Sequence, residues 1–145
     1  MEVKEILVPV DFSEVSDEAL EFAKVIAEKF QAELHVLHVA DDPILNAPTT
    51  SDTFRDERIA KASEQLEELF DDEDRRRFHV ITVVRCGPAT ETILQYIAEK
   101  TVDLIVMGAK GRSALASMLM GSVAEDLMKK APCPVVTVRQ PDPPA

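Results

Sequence analysis

Long apolar runs, clustered basic residues and cysteines are all scarce in this sequence. No run approaches the ~20 apolar residues that a membrane span requires, and the N-terminus lacks a signal-peptide pattern, so we expect no membrane insertion and a cytoplasmic location. Sixteen Lys and Arg residues against 27 Asp and Glu residues give a net charge of −11, which speaks against sequence-independent nucleic-acid binding. We expect Cys86 and Cys133 to be reduced, inert thiols.

Apolar runs and helical stripes alternate along the chain. We predict strands at residues 3–10, 32–39, 78–84, 102–107 and 134–139, separated by helices at 16–30, 54–70, 90–100 and 122–130. Residues 41–53 and 71–77 are expected to be connecting segments, and 140–145 a flexible Pro-rich tail. Continuous apolar strands separated by amphipathic helices predict one α/β domain, residues 1–139, with a mainly parallel, doubly wound sheet in three layers.

Glycine is also scarce, and its distribution is informative. Three of the four glycines lie at positions 108, 111 and 121. Glycine is needed where the backbone takes a positive φ or approaches another group very closely. Gly108 ends an apolar strand, and Ser122 opens the helix-start pattern Ser-x-x-Glu. A glycine-lined loop that leads to a helix N-terminus attracts anions, so we predict phosphate binding between residues 108 and 123.

The first two predicted strands would end at the same edge as this loop. In doubly wound sheets, ligands bind outside the carboxyl ends of the strands. The first strand ends in Pro9-Val10-Asp11, and the second ends in His38-Val39. Asp11 would accept a ribose hydroxyl or help to hold a phosphate-bound divalent ion, or else it would only cap the following loop.

Several familiar nucleotide-binding and signalling classes lack their motifs here. The sequence has no Gly-x-x-x-x-Gly-Lys-Ser/Thr, so a P-loop NTPase is excluded, and no Gly-x-Gly-x-x-Gly after the first strand, which argues against a dinucleotide-binding Rossmann domain. A response-regulator receiver would need an acidic pair after the first strand and an acceptor Asp at the end of the third. The third strand ends in Val84-Arg85-Cys86, so that class is excluded as well.

Gly108-x-x-Gly111, nine residues and then Gly121-Ser122 resemble the Gly-2x-Gly-9x-Gly-Ser/Thr signature of the ATP-binding branch of the universal stress protein family. The resemblance extends over the chain through four further fragments, namely Ile6 to Ser13, Leu37 to Val39, Asp103 to Gly108 and Ala131 to Val138. It implies an adenine nucleotide alpha hydrolase-like fold with five mainly parallel strands in the order 3-2-1-4-5 and four main helices.

The resemblance also implies a role for each matching residue. Val39 would hold adenine through its backbone, and the adenine and ribose pocket would be lined by Pro9, Val10 and Asp11. The ribose and the α- and β-phosphates would be wrapped by Met107, Gly108 and Gly111. The phosphates, bridged by Mg²⁺ or Mn²⁺, would contact Gly121, Ser122 and Val123, with added charge from Lys110 and Arg112. The ligand would be ATP, AMP or ADP, and the last strand (Pro134 to Val138) would pair across a homodimer.

Catalysis needs more than a phosphate loop. Phosphoryl transfer requires an oriented nucleophile and usually a positioned base, and no convincing candidate lies beside the glycines. His35 and His38 would point to opposite faces of one strand, His79 begins another, and none is expected to join a metal-ligand cluster. We therefore predict a nucleotide-binding regulatory protein with little or no hydrolysis. A slow ATPase or autophosphorylating enzyme remains an alternative, and a partner-binding module without nucleotide is a minor one.

Overall fold

A computed structural model describes residues 1–111 and 120–140 of the chain. Its sheet contains five strands in the order β3-β2-β1-β4-β5, and every neighbouring pair is parallel. The predicted fold and strand order are therefore confirmed. The strands are β1 (Glu5–Pro9), β2 (Glu33–Ala40), β3 (Val80–Cys86), β4 (Leu104–Gly108) and β5 (Val135–Val138).

The described residues also form helices that connect these strands. Four correspond to the predicted main helices: α1 (Glu14–Phe30), α3 (Asp52–Glu67), α5 (Ala89–Lys100) and α6 (Ser122–Lys130). Two short helices replace predicted connecting segments: α2 (Pro43–Asn46) and α4 (Asp72–Arg77). Both begin with an Asp side chain that accepts a backbone N–H, at Asp42 and Asp71. Such caps stabilise a single turn that carries no apolar stripe.

The sheet separates two apolar layers because alternate residues of each strand point to opposite faces. Ile6 and Val8 of β1 pack with α1 and α3 residues, including Ala23 and Leu66. Leu7 packs on the other face against α5 and α6 residues, including the fully buried Tyr96 and Leu127. This alternation places α1 and α3 on one side of the sheet and α5 and α6 on the other.

Some details of the helices differ from the sequence prediction. The N-cap of α1 is Ser13, whose hydroxyl oxygen accepts the Ser16 N–H, while Ser16 itself is buried in the first turn. Phe30 and Met128 are exposed, because each lies in the last turn of its helix, beyond the part that packs on the sheet. None of the helices in the described ranges is both long and apolar enough to cross a bilayer.

Candidate functional site

A cavity of about 420 Å³ opens at the carboxyl edge of the sheet. Its walls are the ends of β1, β2 and β4, the beginning of α5, and the beginning of α6. Every described residue of the predicted site lines it: Pro9, Val10, Asp11, Val39, Met107, Gly108, Lys110, Gly111, Gly121, Ser122 and Val123. Arg112 lies outside the described residues, as do residues 141–145 of the predicted tail.

Strand β2 extends beyond β1, and this difference exposes its backbone to the cavity. β1 ends at Pro9 opposite Leu37, whereas β2 continues to Ala40. Odd-numbered residues of β2 direct their backbone groups toward β1, as the bonds from Glu33 N–H to Lys4 O (2.8 Å) and from Val10 N–H to Leu37 O (2.9 Å) demonstrate. Val39 lies two residues past Leu37, so its N–H and C=O face the cavity instead of a neighbouring strand.

The turn after β1 is held in place by side chains. Asp11 Oδ1 accepts hydrogen bonds from the Ser13 N–H (3.1 Å) and the Ser13 hydroxyl (2.5 Å), around Phe12 at φ 64°. His38 Nδ1 donates to the Val10 carbonyl oxygen (2.9 Å), and its ring lies 4.6 Å from the Phe12 ring. Asp11 therefore does stabilise the loop, as one of the two interpretations of the sequence expected, and it also lines the cavity.

The two described ends of the glycine segment meet beside β4 and β5. The Gly121 N–H donates to the Ala109 carbonyl (2.6 Å), and the Ala109 N–H donates to Val138 O (2.8 Å). These bonds bring Gly121 and the start of α6 next to Lys110 and Gly111. The anion-binding elements predicted from the sequence are thus adjacent although they are separated along the chain.

Close approach, and not backbone conformation, explains Gly108 and Gly111, whereas a Cβ at Gly121 would make ordinary contacts with the loop backbone. Among the four glycines, only Gly87 has a positive φ. A Cβ at position 111 would lie 2.7 Å from Asp11 Oδ2, and one at 121 would lie 3.4 Å from Gly111 N. A Cβ at 108 would lie 3.0 Å from Cγ1 of Val15. The groups that a side chain at these positions would meet first belong to the protein itself.

Helix α6 points its N-terminus at the cavity. Its N-cap is Gly121, and no side chain caps it, so the predicted Ser122 cap is wrong and Ser122 is the first helical residue. The first intrahelical bond runs from the Glu125 N–H to Gly121 O (3.0 Å). The N–H groups of Ser122, Val123 and Ala124 precede that bond and lie at the positive end of the helix dipole.

The sequence did not identify some of the residues that complete the walls. Asp41 Oδ2 accepts the Ala89 N–H (3.1 Å), which fixes the N-terminus of α5 against the end of β2. Thr90 of α5 donates to Asp126 of α6 (3.2 Å), which joins the two helices whose N-terminal ends border the cavity. Asp41 directly follows β2, so its place at the carboxyl edge was a usable signal. The remaining lining residues are Ser16, Leu37, Ala89, Ile93 and Ala124.

Negative charge is concentrated near the β1–α1 turn. Burial raises the pKa of Asp17 above its usual value, and the nearby charges of Asp11, Glu14 and Glu21 raise it further. Lys110 lines the same cavity, and the described lining residues include no histidine or cysteine.

The histidines lie elsewhere. His38 holds the β1–α1 turn, whereas His35 points to the opposite face and contacts Glu5 and Tyr96. Glu5, Glu33 and His35 form a group with metal-ligating geometry at the amino edge of the sheet. The sequence did not reveal this group, because the register of β1 and β2 brings Glu5 next to Glu33 and His35, which lie far from it in sequence.

Known proteins are similar to this chain in sequence and in fold. The profile of the Universal stress protein family matches residues 2–139. The universal stress protein MJ0531 of Methanocaldococcus jannaschii is 33% identical over 141 residues, covering 95% of this chain and 83% of that protein. YxiE of Bacillus subtilis is 31% identical over 143 residues, covering 92% of this chain and 97% of that protein.

Solved structures of universal stress proteins have the same fold as this chain. The structure of MJ0577, another universal stress protein of M. jannaschii, superposes with a TM-score of 0.88 at 28% identity and covers 99% of this chain and 100% of that one. Two more distant universal stress proteins, at 20% and 21% identity, share the fold with TM-scores of 0.69 and 0.63 and were solved with cAMP and with dAMP, the latter from Archaeoglobus fulgidus. On the profile match and these relatives, the chain belongs to the universal stress protein family.

Proposed function

We propose that this protein binds an adenine nucleotide, foremost ATP, in the carboxyl-edge cavity and acts as a nucleotide-dependent regulatory module with little or no hydrolysis. One observation carries the proposal. A single cavity has the outward-facing backbone of Val39 at one end and the glycine segment with the N-terminus of α6 at the other. The first end suits a base and the second suits phosphates.

The base end offers backbone groups on an apolar wall. An adenine edge carries one donor and one adjacent acceptor, which match the C=O and N–H of a single residue such as Val39. Leu37 and Ile93 supply apolar surface for the ring on the α5 side of the sheet. The cAMP and dAMP complexes of the two distant relatives support an adenine nucleotide as the ligand class.

The phosphate end offers the backbone donors of the first turn of α6. The first N–H groups of α6 have no partner within the helix and sit at its positive end, which is a favourable place for an anion. Gly111 and Gly121 leave this end open, because side chains there would meet Asp11 and the Lys110–Gly111 backbone. Lys110 lines the cavity and adds positive charge.

A divalent ion on the phosphates is compatible with the residues present. Mg²⁺ and Mn²⁺ prefer oxygen donors and usually bind through phosphates with one or two protein carboxylates. Asp11 supplies such a carboxylate at the cavity wall, among acidic neighbours that raise the pKa of Asp17. Its role would be to hold the ion near the phosphates, without direct chemistry on the nucleotide.

The proposal of little or no hydrolysis rests on what lines the cavity. Phosphoryl transfer is fast only where a base or a water-positioning residue stands in line with the γ-phosphate. The described lining contains no histidine, and Asp41 is occupied by the Ala89 N–H. Binding without rapid turnover is the behaviour of a sensor.

We also propose a homodimer that pairs β5 (Pro134 to Val138 in the sequence pattern) across a two-fold axis. Even-numbered residues of this edge strand bond to β4, as the Ile105 N–H to Pro134 O (3.0 Å) and Ala109 N–H to Val138 O (2.8 Å) bonds demonstrate. The backbone groups of Val135 and Thr137 therefore point outward, where a second strand would satisfy them.

The dimer is tested by Thr137→Pro, which removes one outward N–H from an edge strand where proline is tolerated. Sedimentation velocity should find a dimer for the parent and a monomer for the variant, with unchanged circular dichroism. A monomeric parent protein would refute the dimer, as would a Thr137→Pro variant that stays dimeric. The cytoplasmic location stays a prediction of the sequence.

Calorimetric titration with ATP and Mg²⁺ tests the nucleotide site. The parent protein should bind one ATP, and Gly121→Val should abolish detectable binding, because its side chain would fill the space beside Lys110 and Gly111. Ala98→Val, on the exposed surface of α5, is the control for added bulk and should bind like the parent. Absence of binding by the parent refutes the function, and equal binding by Gly121→Val refutes the site.

Phosphate release tests the second half of the proposal. We expect turnover far below the ~1 s⁻¹ at which ordinary enzymes begin. A rate at or above that value would make the protein an ATPase and contradict its role as a sensor.

A further inference from the structure

We propose that Glu5, Glu33 and His35 form a binding site for a divalent transition-metal ion at the amino edge of the sheet. Zn²⁺ is the ion with which we test this site. This edge is opposite to the nucleotide cavity. The potential donor atoms of the three side chains all lie within 4.8 Å of one another. The proposal does not depend on nucleotide binding.

Strand register creates the cluster. Glu5 of β1 is the ladder partner of Glu33 of β2, so their side chains are neighbours on one face of the sheet. His35 follows Glu33 by two residues and therefore points to the same face. On the far side of β2, the Leu34 N–H donates to His79 O (2.9 Å), which places His79 beside Glu33. Two of the three histidines of the chain thus meet two carboxylates.

The distances fit a metal site after a small adjustment. His35 Nε2 lies 3.4 Å from Glu33 Oε1 and 2.5 Å from Glu5 Oε2. Ligands bound to zinc at ~2.0–2.2 Å in tetrahedral geometry lie about 3.3 Å apart. The Glu33 separation already matches, while Glu5 would move away by about 0.8 Å as the ion replaces the proton between it and His35.

The site is anchored inside and open outside. The His35 side chain is 4% exposed, whereas the side chains of Glu5 and Glu33 are 31% and 23% exposed. An ion can therefore reach the cluster from solvent while the imidazole stays fixed. The backbone of Glu5 is also held, because its N–H and that of Lys4 both donate to Asp103 Oδ2 at 2.9 Å.

Second-layer contacts orient the ligands, as they do in known metal sites. Tyr96 Oη lies 2.6 Å from His35 Nδ1, so it can accept a hydrogen bond from the Nδ1–H group when Nε2 binds the ion. His79 Nδ1 lies 2.5 Å from Glu33 Oε2, and its side chain is 76% exposed. His79 is close enough to hold the carboxylate, and its exposure leaves room for the ring to turn and supply a fourth ligand.

The nearby cations do not replace a metal. The guanidinium of Arg85 lies over the Tyr96 ring and pairs with Glu99 (2.8 Å), and Lys4 pairs with Glu2 (3.1 Å). Within residues 1–111 and 120–140, the side chains that pair with the Glu5 and Glu33 carboxylates are the imidazoles of His35 and His79. A mixed imidazole and carboxylate set suits zinc and other first-row divalent ions better than Ca²⁺ or Mg²⁺, which prefer oxygen alone.

The test is a zinc titration of tag-free protein without nucleotide, in a non-chelating buffer. Calorimetry measures affinity and stoichiometry, and Co²⁺ absorption reports the coordination geometry. Glu5→Gln and Glu33→Gln keep side-chain size while removing a ligand charge. Glu99→Gln is the matched control, since it removes a nearby charge that is not a ligand. Circular dichroism establishes that each variant is folded.

We expect saturable one-to-one binding by the parent protein and by Glu99→Gln. Each ligand variant should bind at least ~10-fold more weakly, the lower bound for disrupted metal environments. A Co²⁺ spectrum of low coordination number that is lost on adding zinc would support the site further. The proposal is overturned if the parent binds no zinc, or if the folded Glu5→Gln and Glu33→Gln proteins bind it as well as Glu99→Gln does.

Discussion

The two edges of the sheet in this protein present different kinds of chemistry. At the carboxyl edge, the groups that face the cavity are mainly backbone N–H and C=O groups of Val39 and the first turn of α6, with glycines keeping the approach open. At the amino edge, the polar atoms belong to side chains, in a cluster built on His35. Backbone donors suit an extended ligand with several acceptors, whereas a convergent imidazole and two carboxylates suit a single small cation.

Strand length accounts for the difference. At the carboxyl edge β2 extends beyond the end of β1, which leaves backbone groups of β2 without a neighbouring strand on that side. At the amino edge, Glu5 and Glu33 are aligned and their backbones are satisfied by Asp103 and Lys4, so only side chains remain to bind anything. The two edges should therefore respond to different mutations.

One of the two largest effects on stability is expected from Tyr96→Phe at the amino edge. This change removes the hydroxyl that pairs with His35 Nδ1 in a fully buried position. An unpaired buried polar group costs about 1–3 kcal/mol in the free energy of unfolding. Urea unfolding followed by circular dichroism measures the loss, and ATP affinity should not change.

Thr82→Val is the control for that experiment. Its hydroxyl bonds to Glu67 at an exposed surface, so its removal should change stability by no more than about 0.5 kcal/mol. Equal effects of the two substitutions would mean that the His35–Tyr96 pair has no special structural role.

Gly111→Ala should have the next largest effect, on binding at the carboxyl edge. The new Cβ would lie 2.7 Å from Asp11 Oδ2, so the Asp11 carboxylate at the cavity wall would have to shift. We expect at least a tenfold loss of ATP affinity, about 1.4 kcal/mol, with little change in melting temperature.

Gly108→Ala provides the matched comparison. Its Cβ would meet the side chain and backbone of Val15, at 3.0 to 3.3 Å, so overpacking should cost about 1–3 kcal/mol of stability. If Gly111→Ala instead destabilises the fold and leaves ATP affinity intact, the division between the two glycines is wrong.

The amino edge has a direct spectroscopic reporter, because Tyr96 is the only tyrosine and the chain has no tryptophan. Burial raises the pKa of Tyr96 above 10.0, the charge of Arg85 opposes this, and Glu33, Glu5 and Glu99 raise it further. Absorbance at 295 nm should therefore remain that of a phenol above pH 10 while the protein is folded.

The linked stability has a definite sign. Because the pKa of Tyr96 is higher in the folded state, its protonation contributes to the free energy of unfolding. This contribution is complete below the unfolded pKa and is lost as the pH rises through the folded pKa. Glu33→Gln should lower the pKa of Tyr96 in the same titration. Normal phenolate formation in the folded parent protein would show that Tyr96 is not buried as described.

The smallest effect on stability is expected from Ser122→Ala. Ser122 is not the cap of α6, so its loss should change the free energy of unfolding by less than about 0.5 kcal/mol while weakening ATP binding. Ser51→Ala removes a true cap, whose oxygen accepts the Phe54 N–H, and should cost ~1 kcal/mol without affecting ATP. If Ser122→Ala instead lowered stability and left ATP affinity unchanged, Ser122 would act as a cap of α6.

The carboxyl edge was predictable because its signals are local. Gly108 and Gly111 mark close approaches, Gly121 precedes a helix, and Pro9 and Val39 follow from the rule that strand ends share one edge. Ser122 was misassigned because its Ser-x-x-Glu pattern is satisfied in sequence, yet Gly121 takes the cap position. The short helices were missed because capped single turns carry no periodicity.

The amino edge could not be predicted in the same way. His35 meets Glu5 only through the pairing register of β1 and β2, and a shift of one residue would have turned His35 to the other face. Register depends on how the whole sheet packs, and no motif around Glu5 or His35 records it. Buried side-chain clusters between strands are accessible only once the ladders are known.

The most direct test of nucleotide binding at the carboxyl edge is a ¹H–¹⁵N NMR titration of the parent protein with ATP and Mg²⁺. The account predicts that the largest amide shifts fall on Val39, Gly108, Gly111, Gly121 and Ser122, while Glu5, Glu33 and His35 move little. Absent shifts, or shifts centred on the amino edge, would contradict it.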